Sequence, residues 1–164
     1  MNAMSARHLE IFEMIRADLT GRMAGLGAAP SGGASPVTSP RSGEGGGAAP
    51  FDAGHVTSLL SVMQRFMSGA GLDRYRDSVR RWTVMRLGEM ASPESILHAL
   101  TAVGDAATGL ARERLGYGPE ADAFAREVAR ASFWGTRVAV EVLGQELELR
   151  ARAHGGGAGE GGFG

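Results

Sequence analysis

The sequence predicts an all-α protein: a four-helix bundle or globin-like helical domain that carries a tethered amphipathic helix at its N-terminus. Apolar residues recur at helical spacing, and no segment alternates apolar and polar residues as a half-buried strand does. Gly, Pro and Ser separate the helical segments from one another. The predicted units are a docking helix at 1–26, a linker at 27–50, a bundle at 51–152 and a tail at 153–164.

The first predicted helix has a single apolar face. On a helical wheel its large apolar side chains fall within about a third of the circle, and they are Ile11, Phe12, Ile15, Leu19, Met23 and Leu26. Its arginines balance its carboxylates, so the helix lacks the positive charge that attracts helices to anionic lipid. We therefore predict that it docks on protein.

Residues 27–50 consist mostly of Gly, Ala, Ser and Pro. Such a segment buries too little apolar surface to offset the entropy lost on ordering, which predicts a flexible linker. A flexible chain of this length spans roughly 25 to 30 Å. The first helix can therefore dock on its own chain or on a neighbouring one. The Gly-rich residues 153–164 predict a disordered tail.

Three further helices follow the linker. Asp52 is the predicted N-cap of the first, which ends at Gly69. The next runs from about 72 to 87, and the third begins at the N-cap Ser92 with Pro93 in its first turn. Their predicted inward residues are Val56, Leu59, Leu60, Met63, Phe66 and Met67, then Tyr75, Val79 and Trp82, then Ile96, Leu100, Val103, Ala107 and Leu110.

A long last helix, from Glu120 to about Arg152, has apolar residues on two sides. One stripe comprises Phe124, Val128, Ala131, Gly135, Val138, Val142 and Leu149. The second comprises Ala129, Phe133, Val140 and Leu147, the last three spaced by seven. A helix at the corner of a bundle buries only one side, so the second stripe needs another cover. Either the first helix covers it within the chain or a second subunit does, and we predict a homo-oligomer.

Composition narrows the functional classes. The net charge of −1 gives no global attraction to nucleic acid or anionic membrane. The chain has no Cys, which excludes disulfides and thiolate chemistry and predicts a cytoplasmic location. No run approaches the ~18 apolar residues of a membrane span. Glu10 and Glu13 interrupt the position where a signal peptide would have an apolar core.

Five arginines cluster in the second bundle helix, at Arg74, Arg76, Arg80, Arg81 and Arg86. The cluster raises the question of nucleic-acid binding, but Tyr75 and Trp82 lie on the inward stripe, whereas aromatic residues that stack on bases must be exposed. A solvated helix face is the favoured interpretation. Arg86 projects near the apolar side, where it would pair with a carboxylate from another helix, cap a helix C-terminus or bind an anion.

The sequence predicts neither a metal or cofactor site nor an enzyme. Asp52 with His55, and Glu94 with His98, have the one-turn spacing of two metal ligands. Neither pair repeats as the Glu-x-x-His doublet of di-iron bundles. The helical serines lack a G-x-S-x-G elbow, and no Gly-rich segment leads into the Lys-Ser/Thr of a phosphate loop.

Residues 74–103, RYRDSVRRWTVMRLGEMASPESILHALTAV, place an Arg-bearing helix, a Gly-containing turn and an I-L-x-x-L helix in succession. In this order they resemble the helical N-terminal sensor domains of stressosome-type regulators. The resemblance implies a dimeric, non-haem globin-like bundle that scaffolds a signalling assembly, with no catalytic residue. Those regulators continue into an α/β signalling domain that has no counterpart in these 164 residues.

These observations favour a non-enzymatic adaptor or assembly subunit, which binds a protein partner or sister subunits by helix-in-groove contacts. The predicted contact residues are Ile11, Phe12, Ile15, Leu19 and Met23 of the first helix and Phe133, Val140 and Leu147 of the last. Two alternatives stay open. A ligand-sensing domain would hold a small apolar molecule among Met63, Phe66, Trp82 and Phe124, and a nucleic-acid-binding protein would use the second bundle helix.

Overall fold

The computed structural model describes residues 3–28 and 53–155, and the secondary structure in these ranges is helical, so the predicted all-α fold is confirmed. Most of the predicted linker, the predicted N-cap Asp52 and the residues after Gly155 lie outside the described residues. The five helices are α1 (Ala3–Ala28), α2 (Ala53–Met67), α3 (Leu72–Gly88), α4 (Pro93–Leu115) and α5 (Pro119–Gly155). The last helix therefore extends three residues beyond the predicted boundary at 152.

Helix α1 is an integral part of the bundle, where it packs against α2 and α4 of its own chain. Its apolar face is buried in the same core as the other helices, through Ile11, Phe12, Ile15, Leu19 and Met23. The predicted docking helix and the predicted four-helix body therefore share one hydrophobic core. The five side chains predicted to insert into a partner insert into their own chain.

Charged side chains of α1 form ion pairs with α4 and α5. Arg22 donates to Glu113 of α4 at 2.6 Å, and Asp18 pairs with Arg114 of the same helix. Arg7 pairs with Glu120 in the first turn of α5, and its guanidinium lowers the pKa of that carboxyl. Exposed ion pairs contribute about 0–1 kcal/mol each. They orient α1, while burial of its apolar face supplies most of the stabilisation.

Helices α4 and α5 approach each other closely where Gly104 meets Ser132. A Cβ atom on Gly104 would lie 2.3 Å from the Ser132 Oγ atom, which is closer than real atoms come. Ala107, Ala111 and Ala131 are also buried along this contact. Small residues on both helices thus allow the two backbones to come together.

Helix α3 is tied to α5 by the phenol of Tyr75. This hydroxyl donates a hydrogen bond to the backbone oxygen of Ala131 at 2.7 Å. A Cβ atom on Gly135 would lie 2.8 Å from the same hydroxyl, so glycine is required for the close approach. Burial raises the pKa of Tyr75, which keeps the phenol protonated and able to donate.

The turn between α3 and α4 follows the sequence signals. Ser92 is the N-cap of α4, accepting from the backbone N–H of Ser95 at 3.2 Å, and Pro93 occupies the first turn as predicted. Helix α3 ends in a Schellman motif, in which the Ala91 N–H donates to the Arg86 oxygen at 3.0 Å. Met90 adopts the left-handed conformation of this motif, with φ of 64°.

Truncating Phe12 tests whether α1 belongs to the cooperative core. We expect Phe12→Ala to lower the free energy of unfolding by about 3–5 kcal/mol, because the side chain is 0% exposed. Met14→Ala is the matched control at a 46% exposed position and should cost about 0.5 kcal/mol or less. Urea unfolding followed by circular dichroism measures both. Equal midpoints for the two variants would contradict the packing of α1.

Two glycine substitutions in α4 test the close contact with α5. Gly104→Ala should cost about 1–3 kcal/mol, because the added methyl group meets Ser132. Gly109→Ala is the control, since the nearest atom to its Cβ would be Arg22 Nη1 at 3.9 Å. There the higher helix propensity of alanine should stabilise the protein by up to about 1 kcal/mol. The expectation fails if thermal unfolding shows the two variants to be equally stable.

Candidate protein-interaction surface

The two-sided character predicted for the last helix is present in α5. Its inner side lies in the core through Phe124, Val128, Ala131, Val138 and Val142. On the opposite side Phe133, Val140 and Leu147 are 60%, 52% and 61% exposed. The expectation that the first helix covers this second stripe within the chain is wrong, because α1 packs against α2 and α4.

We call the solvent-exposed side of this helix the outer face of α5. At 100° per residue its members lie within about 80° of one another on the helical wheel, and they are Ala129, Phe133, Thr136, Val140, Gly144, Leu147 and Ala151. Large and small residues alternate along the face. A Cβ atom on Gly144 would meet nothing within 4 Å, so the space beside the large residues is open. Such a surface accepts the side chains of another helix as knobs into holes.

An aromatic and cationic cluster borders the outer face on the side of α3. The ring of Phe133 contacts Trp134 edge to face, with 5.5 Å between the ring centroids. The Trp134 ring in turn has Arg137 at 5.4 Å and Arg76 of α3 at 5.9 Å from its centroid. Trp and Arg are the residues most enriched where interfaces derive their binding energy. Trp134 and Arg76 were not predicted as site residues, although the adjacent aromatic residues Phe133 and Trp134 in the sequence could have indicated that Trp134 lies beside the outer face.

A shallow groove borders the outer face on the side of α4. It has a volume of about 580 Å³ and is lined partly by small residues, including Thr108, Gly109, Ala125 and Ala129. The charged residues Asp105, Arg112, Asp122 and Arg126 surround it. The groove therefore combines small and charged lining residues, and Ala129 joins it to the outer face one turn before Phe133.

The C-terminal end of α5 projects beyond the rest of the bundle. Residues 147–155 are all exposed, and they include Leu149 of the inner stripe. A small groove of about 100 Å³ lies where this end leaves the bundle, between Leu147 and the exposed Met90 of the α3–α4 turn. The apolar surface of the outer face thus continues to the end of the bundle.

Arg86 has an anionic partner within its own chain. Only 4% of its surface is exposed, and its Nη1 donates to Glu89 Oε2 at 2.9 Å. The same carboxylate oxygen lies 2.8 Å from Nε2 of His55 in α2. Arg86 therefore pairs with a carboxylate, but this carboxylate lies at the end of its own helix α3 and not on another helix as predicted. We therefore do not retain it as an anion-binding residue.

Most of the other residues considered as site candidates from the sequence are buried in the core of the bundle. Tyr75 and Trp82 are buried, as predicted, so they offer no stacking surface beside the arginines of α3. Met63, Phe66 and Phe124, suggested as ligand contacts, are core residues. His8 is buried, and its ring meets that of Phe124 edge to face with 6.2 Å between the ring centroids. No group of three potential metal ligands occurs within residues 3–28 and 53–155.

Comparison with family profiles, curated proteins and solved structures finds no significant match to this chain. The resemblance of residues 74–103 to stressosome-type sensor domains stays a prediction. Among the helices described here, none is both long and apolar enough to cross a bilayer.

A double-mutant cycle tests the Arg86-Glu89 pair. Glu89→Gln leaves the buried guanidinium without its anion, and we expect a loss of about 2 kcal/mol in unfolding free energy because Glu89 itself is partly exposed. Arg86→Met combined with Glu89→Gln should be less destabilising than the sum of the two single changes. Guanidinium unfolding of all four proteins provides the coupling energy. Strict additivity would show that the pair is not energetically coupled.

Proposed function

We propose that this chain is a non-enzymatic interaction subunit that binds a protein partner through the outer face of α5. The observation that carries the proposal is the exposure of Phe133, Val140 and Leu147 on a rigid helix whose other side is buried in the core. Exposed apolar residues scattered singly need no explanation, but three of them aligned at seven-residue spacing form a continuous stripe. The stripe has the pattern of a helix that packs against another helix.

The energetics support a stable association. Burying the exposed half of each large residue contributes about 1 kcal/mol. Trp134, held between Arg76 and Arg137, adds an aromatic anchor whose position is already fixed by its own chain. Little side-chain entropy is lost when such a preorganised cluster is covered. The outer face therefore has both the apolar area and the rigidity that an interface requires.

In this proposal α1 has a structural role. Its apolar face is committed to the core, and its charged residues engage α2, α4 and α5. The helix-in-groove contact predicted for it occurs within the chain. A scaffolding role also agrees with the resemblance to stressosome-type sensor domains, and the lack of Cys fits action in the reducing cytoplasm.

Aspartate substitutions on the outer face test the proposal. The purified chain, immobilised, is used to recover binding proteins from an extract of the source cells, with its own copies counted among them. Phe133→Asp with Leu147→Asp should reduce recovery of the bound protein at least about tenfold, because charges at the centre of an apolar interface must be desolvated. Circular dichroism should show an unchanged fold, since both positions are exposed.

Val84→Asp is the matched control for this experiment. Val84 is 54% exposed on α3, outside the outer face, and its substitution should leave recovery unchanged. If the wild type, the double variant and the control recover the same proteins in the same amounts, the outer face is not the binding surface and the proposal is wrong.

A further inference from the structure

We infer that the partner of the outer face is a second copy of this chain, whose α5 pairs antiparallel to the first about a two-fold axis at Val140. This inference rests on the proposed function and specifies the occupant of the same surface. Its evidence is the spacing, the alternation of residue size and the distribution of charge along α5.

The outer face is symmetric about its middle residue. Moving outward from Val140, both directions meet a member of the face after four residues, then three, then four. A two-fold axis at Val140 therefore pairs every position with another, as a symmetric interface requires. The resulting pairs are Val140 with itself, Thr136 with Gly144, Phe133 with Leu147, and Ala129 with Ala151.

Residue sizes along the face fit this register. Each Phe133 would lie against the partner's Leu147 and between the partner's Gly144 and Ala151. Gly144 faces open space, and Ala151 is also exposed, so none of the residues that the structure describes fills these positions. The small residues allow the two helix axes to come within the 8–10 Å or so that is usual for packed helices.

Charge along one flank of the face favours the antiparallel direction. The N-terminal half of this flank carries Arg130 and Arg137, and the C-terminal half carries Glu141 and Glu148. In an antiparallel pair the same flanks meet with opposite direction, so the arginines of each copy lie beside the glutamates of the other. At present these side chains form exposed pairs within α5, including Arg137 with Glu141 at 3.6 Å. Arg130 and Arg137 also lie over the rings of Phe66 and Trp134, and their side chains are 60% and 59% exposed, so both are accessible to a glutamate of a second copy.

A parallel pair offers less of this complementarity. Two-fold rotation about the helix direction would place the charged flank against the opposite flank of the second helix. On that flank Leu143 is buried and Ser132 packs against Gly104 of its own chain, so the exposed Arg150, which would meet only Glu148, is the charge it offers. The projecting end of α5 adds a further argument for the antiparallel pair. In that pair, the end of α5 from Ala151 onward would lie over the helical turn around Ala129 of the partner's α5. This turn is beside the shallow groove lined by Gly109 and Ala125.

Cysteine cross-linking tests the register directly, since the natural chain has no Cys. Val140→Cys places two thiols at the two-fold axis, and oxidation should link it to itself as a covalent dimer. Phe133→Cys alone and Leu147→Cys alone should stay uncross-linked, because in this register the like positions are about 21 Å apart along the helix. An equal mixture of these two variants should form the mixed disulfide dimer.

A second measurement asks whether the pair forms without a cross-link. Light scattering of the wild-type chain at about 100 µM should show twice the 17.0 kDa mass of one copy. Gly144→Leu should return the mass to that of one copy, because the side chain fills the space opposite Thr136, while its Cβ atom meets no described atom of its own chain within 4 Å. Gly21→Leu on α1, where the added Cβ likewise meets nothing, is the control that stays dimeric.

Each outcome decides between hypotheses. A dimer with self-linking only at Val140→Cys supports the antiparallel pair. Self-linking of Phe133→Cys supports a parallel pair and overturns the inferred register, while the proposed function stands. A monomeric wild type overturns the inference itself, and the extract experiment with Phe133→Asp and Leu147→Asp then decides the proposed function independently.

Discussion

The close packing of α5 against α3 and α4 is the constraint on which the rest of the structure depends. Gly104 makes room for Ser132, and Gly135 makes room for the Tyr75 hydroxyl, which is anchored on the backbone oxygen of Ala131. Larger residues at either glycine would separate the helices and open the core between them. Because both neighbours lie on the inner side of α5, its outer side is left to solvent.

This arrangement makes α5 a core element and leaves its outer face exposed as the proposed surface for association. Its inner stripe is buried over the length of the bundle, and its C-terminal end extends past the other helices from Leu147 to Gly155. Rigid presentation lowers the entropy lost on binding. The same packing that stabilises the fold therefore prepares the outer face, and Trp134 shows the connection, since its ring is held by cations from both α3 and α5.

Much of the candidate site could be predicted from spacing alone. Phe133, Val140 and Leu147 share one side of a regular helix, and their exposure follows from the buried stripe opposite. The cluster around Trp134 could not be predicted, because Arg76 reaches it from another helix. The position of Arg86 in the sequence allowed several roles. The pairing with Glu89 depends on how the chain turns at the end of α3, which the sequence pattern did not predict.

The sequence by itself determined the helices, the capping turn at Ser92 and which faces must be buried, because these depend on local spacing and backbone preference. Only the tertiary structure decided what buries each face. The apolar face of α1 is equally suited to its own chain or to another, and the choice is made by the surface that α2 and α4 present together with the side chains that tie α1 to α4 and α5. Hydrophobic attraction has no direction, so a pattern of apolar residues shows that a face is covered, while the shape and the charges of the neighbouring helices select its cover.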